Sequence, residues 1–232
     1  MNQMFIDQIV RFNLISQYLP KAPATVFEVG CGGGEMMRWL EQKGYIVSGC
    51  EADSNLVSHA QSWAVPNQVI LADGTKLPCE DNFFDCTTSC DVLEHVLPEL
   101  RESFLDEIFR ITKPGGKVVL TVWLNKTLSF KLYGALYLLA TGQLPQWYIE
   151  HIQIPEPLIE PIKEYFEKRC EQVEIIPYQG TVNLAAMLAQ NVAAAKGKFN
   201  LIKLINYIDF IVKKYDFFGR KTSYLFAGIK VR

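Results

Sequence analysis

The chain has 232 residues, 49% of them hydrophobic, and a formal net charge of −2. That is enough apolar material for one sizeable core with an attached cap, and the near-neutral balance gives no reason to expect nucleic acid as a partner. The charge is uneven: residues 196–221 carry seven lysines and arginines against Asp209 and Asp216, so this stretch is +5 and the remainder −7.

Near the N-terminus Phe5, Ile6, Ile9, Val10 and Phe12 recur at near-helical spacing and predict a helix within 4–19. Apolar runs of β type predict strands at 26–29, 45–50, 68–72, 84–90 and 117–123, with helical patterns at 35–43, 54–63 and 99–112 between most of them. Strand and helix alternating at this pitch imply right-handed βαβ crossovers and a mainly parallel, doubly wound α/β sheet. Lys113-Pro114-Gly115-Gly116 is expected to stop the last of these helices and turn the chain into the fifth strand.

After Trp123 the rhythm breaks. Residues 124–168 are rich in Leu and Tyr, are punctuated by Pro145, Pro155, Pro157 and Pro161, and predict a helical cap. Strands are expected again at 171–178 and 224–231, with a second cap segment over 181–220 between them. The whole of 1–232 thus reads as a single domain with seven strands, the last antiparallel. The charge-free stretches 132–149 and 175–195 are too polar for a membrane span.

The six cysteines, Cys31, Cys50, Cys79, Cys86, Cys90 and Cys170, have no zinc-type pairing and sit mostly in or beside apolar runs. Free thiols in a reducing compartment are expected. With Asp7 and no basic region ahead of an apolar run, no secretory leader is expected, and the reading is a cytoplasmic protein.

The most informative segment is the end of the first strand with the turn after it, Glu28-Val29-Gly30-Cys31-Gly32-Gly33-Gly34-Glu35. A strand emptying into glycines just before a helix lets backbone approach a bound cofactor closely. In an open parallel sheet, ligands bind beyond the carboxyl ends of the strands, where strand order reverses. The second strand ends in Glu51-Ala52, a carboxylate suited to the two hydroxyls of a ribose. The third ends in Asp73-Gly74, and Asp73 could accept from an exocyclic amine such as that of adenine. The fourth ends in Cys90-Asp91, with Val92-Leu93-Glu94-His95 directly after. A nicotinamide site would need a third glycine three residues beyond Gly32, where Glu35 stands instead.

Taken in order, Glu28 to Gly34, Glu51, Asp73-Gly74 with Leu77-Pro78, Phe84-Asp85, Asp91 to His95 and Lys113 to Gly116 make the chain resemble the class I S-adenosylmethionine-dependent methyltransferases, in particular those acting on small molecules and lipids. The resemblance covers roughly residues 24–123. It implies a Rossmann-like fold and S-adenosylmethionine as cofactor. It also implies site roles: Gly30, Cys31 and Gly32 along the methionine part, Glu28 near its amino group or the loop amides, and Glu51 on the ribose. Ala52 would pack on the adenine face, Asp73 would bind the adenine amine with Gly74 beside it, and the Cys90 carbonyl would face the methionine amine.

Transfer from a sulfonium is an in-line displacement on an activated donor, so alignment and exclusion of water are the main tasks, and a base is needed only for a protonated acceptor. His95 and His151 are the candidates to orient or deprotonate an acceptor, whereas His59 reads as a solvated helix residue. Asp91, Glu94 and His95 at i, i+3 and i+4 would share a helix face that His151 could close over. A related quinone O-methyltransferase group and a small-RNA methyltransferase group hold a divalent metal on a Glu-x-x-Glu-His face of this kind. Here Asp91 replaces the first Glu, the same run occurs in metal-free relatives, and no metal is expected.

Phe130, Leu132, Tyr133, Leu136, Tyr137, Trp147 and Tyr148 suggest an aromatic, apolar wall for a small-molecule or lipid acceptor. Leu201, Leu204, Ile205 and Ile208 form a stripe beside Lys203, Lys213 and Lys214, which admits either packing on the domain or peripheral contact of 199–214 with an anionic membrane. The expected function is methyl transfer to an O, N or C atom of a small, partly apolar acceptor. The alternative from another class is a non-catalytic cofactor-binding scaffold.

Overall fold

The computed structural model describes residues 6–63, 68–124, 128–178, 188–189, 191–193 and 223–231. The second cap segment is therefore almost wholly outside the described residues, as are the 199–214 stripe and the side chain of Trp147. The described chain forms α1 (Ile6–Ile15), β1 (Thr25–Val29), α2 (Glu35–Gln42), β2 (Ile46–Glu51), α3 (Ser54–Trp63), β3 (Val69–Leu71) and β4 (Phe84–Cys90). It continues through α4 (Arg101–Ile111), β5 (Thr112–Trp123), α5 (Leu128–Thr141), α6 (Gln146–Gln153), α7 (Ile159–Arg169), β6 (Cys170–Tyr178) and β7 (Ser223–Lys230). Its contacts divide it into two compact units, one of residues 15–122, 157–176 and 225–232, the other of 1–14, 123–156 and 177–224.

The first unit is built on a seven-stranded sheet in the order β3-β2-β1-β4-β5-β7-β6. The ladders β1–β2, β1–β4, β2–β3 and β4–β5 are all parallel. β7 is the reversed strand: past its end the Val231 N–H donates to the Arg169 carbonyl at the start of β6. Lys230 likewise donates from its Nζ to the Thr112 carbonyl at the start of β5, 2.7 Å away. The seven strands with a reversed last strand thus agree with the expectation from sequence.

Central strands of such a sheet are covered on both faces, which is why β1 is apolar almost throughout, with Val26, Phe27 and Val29 all buried. α4 buries Phe104, Leu105, Ile108, Phe109 and Ile111, the stripe that a helix presents to a sheet. α7 belongs to this unit although it lies within the stretch read as cap. It is held there by edge-on rings, with Phe109 5.3 Å from Phe166 and 5.5 Å from Tyr165, while Tyr165 donates its hydroxyl to Asp106.

Two expectations about elements are corrected. β5 begins at Thr112, so Lys113-Pro114-Gly115-Gly116 is not a turn between elements but an irregularity inside the strand. Phe84 pairs with Thr112 and Cys86 with Lys117, so β5 bulges past β4 there, with Gly115 at φ +77°. This is also the far edge of the sheet from the glycine turn. There the Asp85 carboxylate takes the Lys113 ammonium at 2.6 Å and both the N–H and hydroxyl of Thr25, tying β1, β4 and β5 at their starts. The second correction concerns the segment after β4, which is two short 3-10 turns, Leu93–His95 and Pro98–Leu100, rather than the beginning of an α-helix.

In the second unit α5 and α6 pack around an aromatic cluster of Trp123, Phe130, Tyr133, Tyr137 and Tyr148. Phe130 and Tyr148 stack at 4.5 Å, with the Tyr148 hydroxyl donating to the Phe130 carbonyl. The opposite side of α5 is apolar too: Leu132, Leu136, Leu138 and Leu139 are exposed, Leu139 to 83%. Among the described residues no helix is long and apolar enough to cross a membrane.

Candidate functional site

Because β1, β2, β3 and β4 run parallel, their carboxyl ends lie along one edge, and the chain order reverses between β1 and β4. Glu28, the glycine turn, Glu51, Asp73 and Cys90 all sit at those ends. The structure brings together the residues that the sequence singles out for the cofactor.

The turn is rigid because it is bonded internally. The N–H groups of Gly30 and Cys31 both donate to the Cys50 carbonyl at 2.9 Å, and that of Gly34 donates to the Cys31 carbonyl at 3.0 Å. The Gly32 N–H donates to Glu51 Oε2 at 2.9 Å. A phosphate cradle needs such amides aimed at the ligand; here they are spent within the protein. Gly30 is at φ +73°, and a β-carbon on it would stand 2.5 Å from Val92 Cγ2. Gly32, at φ +54°, has nothing within 4 Å of where a β-carbon would lie, so its backbone faces open space.

Glu51 accepts from Gly32 with one oxygen and from the Ala52 and Asp53 N–H groups with the other, at 2.8 and 3.0 Å. These bonds hold the carboxylate at the tip of β2 without a cationic partner among them. Asp73 Oδ1 accepts the N–H and the hydroxyl of Thr75 at 2.8 and 2.9 Å, a side-chain turn that fixes the exposed carboxylate. Gly74 lies flat on the core: a β-carbon there would come 2.5 Å from Phe104 Cε2 and 2.9 Å from Val29 Cγ1. Glu28 is 2% exposed. Burial, with Glu28 and Glu51 beside it, pushes the Cys31 thiol well above its ordinary range, and burial pushes Cys50 up to about 12. Both are inert thiols rather than nucleophiles.

At the tip of β4, Asp91 occupies the left-handed region at φ +55°. Its N–H donates to Thr121 Oγ1 at 3.0 Å, and the Thr121 hydroxyl returns a 2.6 Å bond to Asp91 Oδ1. This overturns the shared helix face read for Asp91, Glu94 and His95. Asp91 ends the strand with its carboxylate turned to β5, and only Leu93, Glu94 and His95 share the 3-10 turn after it. Glu94 is buried and His95 partly exposed. Arg101 on α4 donates to the Val96 carbonyl at 3.1 Å; burial lowers its pKa, and the charge of Glu94 offsets part of that.

In the other unit His151 is 5% exposed, with its ring 5.3 Å from Trp123 and 6.1 Å from Phe130. Of the expected aromatic wall, Phe130, Tyr133, Tyr137 and Tyr148 are buried, whereas Leu132 and Leu136 are exposed on α5. His59 is exposed on α3. Sequence reading missed Val92, Phe104 and Thr121, which touch the turn, Gly74 and the β4 tip. Each acts through one contact with a residue distant in the chain, and no spacing rule announces that.

Strand order, reversed last strand and glycine turn together define a Rossmann-like methyltransferase fold of class I. Residues 27–120 match the model of a family described as a methyltransferase domain. The chain is 31% identical over 132 residues to the chloroplastic tocopherol O-methyltransferase of Arabidopsis thaliana, covering 53% of this chain and 37% of that one. It is 28% identical over 164 residues to the ubiquinone biosynthesis O-methyltransferase of Coxiella burnetii, covering 68% of each. The first curated relatives are matched over only 27–44% of their own length. A solved SAM-dependent methyltransferase from Archaeoglobus fulgidus superposes with a TM-score of 0.66, at 16% identity, over 97% of this chain and 94% of that one. At that identity the likeness concerns the fold.

Proposed function

We propose that this protein is an S-adenosylmethionine-dependent methyltransferase acting on an O, N or C atom of a small, partly apolar acceptor. The observation that carries the reading is the pairing of a glycine turn with spent amides and a row of carboxylates, Glu28, Glu51 and Asp73, at the strand ends. A pyrophosphate wants amides free to point at it; Glu51 suits the ribose of either cofactor, and Asp73-Gly74 after the third strand favours the methyl donor. A donor carrying ammonium and sulfonium charges suits this edge.

The residues fit that donor. Gly30, Cys31 and Gly32 offer a flat backbone surface for the methionine chain, Glu28 and the Cys90 carbonyl face its amino group, and Glu51 takes the ribose hydroxyls. Ala52 packs on the adenine, whose amine goes to Asp73 beside Gly74. When bound, S-adenosylmethionine supplies an already activated methyl group. The protein's own work is then to hold the acceptor in line and keep water out, which accounts for roughly 7–11 kcal/mol of barrier in well-aligned cases. His95 and His151 are assigned to orienting the acceptor or taking its proton. The family match over residues 27–120 and the methyltransferase relatives support catalysis over a scaffold role.

For the acceptor, the aromatic cluster around Phe130 and Tyr148 supports an apolar or planar molecule, and a lipid is included in that class. The exposed leucines of α5 and the +5 stretch 196–221 support peripheral contact with an anionic bilayer through the second unit, 199–214 included. Six cysteines outside any disulfide fit the reducing cytoplasm.

The test is calorimetric titration of the wild type and Asp73→Ala with S-adenosylmethionine and S-adenosylhomocysteine, with NADH as control. Micromolar binding that weakens in the variant, followed by methyl transfer to a small-molecule or lipid extract, is the expected result. Binding of NADH instead, or of neither, refutes the reading.

A further inference from the structure

β3 is the edge strand of the sheet, and its pairing with β2 stops at the Ala72 N–H on the Glu51 carbonyl, so sheet hydrogen bonding does not reach the loop beyond. That loop carries Asp73 and Gly74 and runs on to β4. Beyond the local turn of Asp73 with Thr75, its fixing comes from α4. Glu107 Oε2 accepts the Leu77 N–H at 2.6 Å, and Arg110 Nη2 donates to the Leu77 carbonyl at 3.0 Å. One ion pair therefore grips both polar groups of a single residue. The pair is closed on itself by Arg110 Nε to Glu107 Oε1 at 2.7 Å and Nη2 to Oε2 at 2.8 Å. Arg110 Nη1 extends the grip to the Cys79 carbonyl at 2.7 Å and to Asp81 at 2.6 Å. All but the first of these bonds come from one planar guanidinium, a fork that lysine has no means to reproduce. The neighbouring α4 residue Phe104 seats Gly74 one turn earlier.

We infer that Glu107 and Arg110 are positioning residues for the nucleoside end of the methyl donor, acting by clamping residues 77–81 to α4 so that Asp73 and Gly74 stand where the adenine needs them. The inference rests on the proposed methyl-donor site and deepens it. Neither side chain touches the donor. The pairing with Arg110 holds the Glu107 carboxyl below the usual carboxylate range, so the Leu77 N–H meets a charged acceptor across the neutral range.

The experiment compares wild type, Arg110→Lys and Glu107→Gln in S-adenosylhomocysteine calorimetry, donor and acceptor kinetics, and hydrogen exchange at the Leu77 amide. Arg110→Lys retains a charge but reaches one carbonyl at most; Glu107→Gln retains an acceptor for Leu77 but loses the ion pair. Both are expected to weaken S-adenosylhomocysteine about tenfold and to raise the donor KM equally, a loss of one charge-assisted bond. The acceptor KM and kcat should stay within about twofold, and Leu77 exchange should quicken. A general loss of fold would instead lower kcat and affect both substrates. If the wild type binds S-adenosylhomocysteine and both variants bind it within twofold of wild type, the clamp is overturned while the donor site stands. If the wild type binds none, the donor site itself is wrong and the clamp falls with it.

Discussion

Substituting Gly30 with alanine tests the geometry of the turn, because two separable costs meet at that residue. The first is backbone: φ is +73°, and an L-residue there costs about 1–2 kcal/mol. The second is space: the new methyl would lie 2.5 and 2.8 Å from the two Val92 methyl carbons, which the half-buried Val92 relieves only by shifting, an overpacking cost of about 1–3 kcal/mol. Gly30→Ala should therefore lose about 2–5 kcal/mol in all, the sum of those two terms. Val92→Ala removes both methyls and with them most of the second cost, leaving only the Val92 Cβ position at 3.2 Å. In a Val92→Ala background, Gly30→Ala should cost little more than the conformational share, about 1–2 kcal/mol.

The coupling between the two sites is then about 1–3 kcal/mol, well outside the few tenths by which independent sites depart from additivity. Urea unfolding of the four proteins measures it, with m-values checked for constancy. Gly32→Ala is the control. Its φ is also positive at +54°, yet nothing lies within 4 Å, so it should cost only the conformational term and show no coupling to Val92. On the proposed function, it should nonetheless weaken S-adenosylhomocysteine, since its methyl enters the space facing the donor. A Gly30–Val92 coupling below about 0.5 kcal/mol would refute the claim that close packing of Val92 requires glycine at this turn.

Thr121→Val removes the hydroxyl that bonds Asp91 in both directions; it should cost about 1–3 kcal/mol in urea unfolding, whereas Thr121→Ser should recover most of it. Asp85 is held at about 2, below its ordinary 3.8, first by the Lys113 hydrogen bond and then by the Thr25 N–H. A depressed carboxyl gives stability above its unfolded pKa and loses it as pH falls, so the wild-type advantage over Asp85→Asn should be full above about pH 4 and vanish toward pH 2 in guanidinium titrations. His151→Ala should lower kcat while leaving S-adenosylhomocysteine affinity unchanged, by about 10²-fold or more if it takes the acceptor's proton; an unchanged kcat removes it from the mechanism. Replacing Leu132 and Leu139 of α5 by Gln should reduce co-sedimentation with anionic vesicles, and wild-type protein that stays in the supernatant would end the bilayer reading.

The legible part of this molecule is the part written in local pattern. β4 spans 84–90 as the apolar run predicts, and β1, β2 and the turn between strand and helix differ from expectation by a residue. These segments are buried on both faces or need glycine, and either requirement shows in the residue types themselves. β3 is shorter than the 68–72 reading, yet the pairing runs on past it: the Gln68 carbonyl accepts from Gly49 and the Ala72 N–H donates to Glu51. What failed was the stretch from Asp91 to His95, which has helical composition and helix-like spacing of its polar residues. Its conformation is decided by Thr121, thirty residues away, which holds Asp91 in the left-handed region and so denies the helix a start. The Glu107–Arg110 grip on Leu77 is illegible for the same reason, since an i, i+3 ion pair on a helix reads as a solvated surface pair.

These long-range contacts share a direction. Gly30 is fitted by Val92, Asp91 by Thr121, Gly74 by Phe104, and Leu77 by Glu107 and Arg110. Apart from Val92, and Val29 beside Gly74, the fitting residues come from α4 and β5, the elements that come after the carboxylate-bearing strands in the chain. β1 to β4 thus present the groups proposed to meet the donor; the turn, Glu51 and Asp73 are bonded locally, and α4 and β5 add the contacts that seat Gly74, Leu77 and Asp91 beside them. Donor affinity should accordingly track the integrity of α4 more closely than that of α2 or α3, even though α2 begins at the glycine turn itself. Truncating Ile108, which is buried on α4 and clear of the clamp, offers the discriminating case. If site geometry is imposed by α4, its loss of packing should weaken S-adenosylhomocysteine at temperatures where the protein is still folded. Truncating Leu40, equally buried on α2, should lower the unfolding midpoint without that effect.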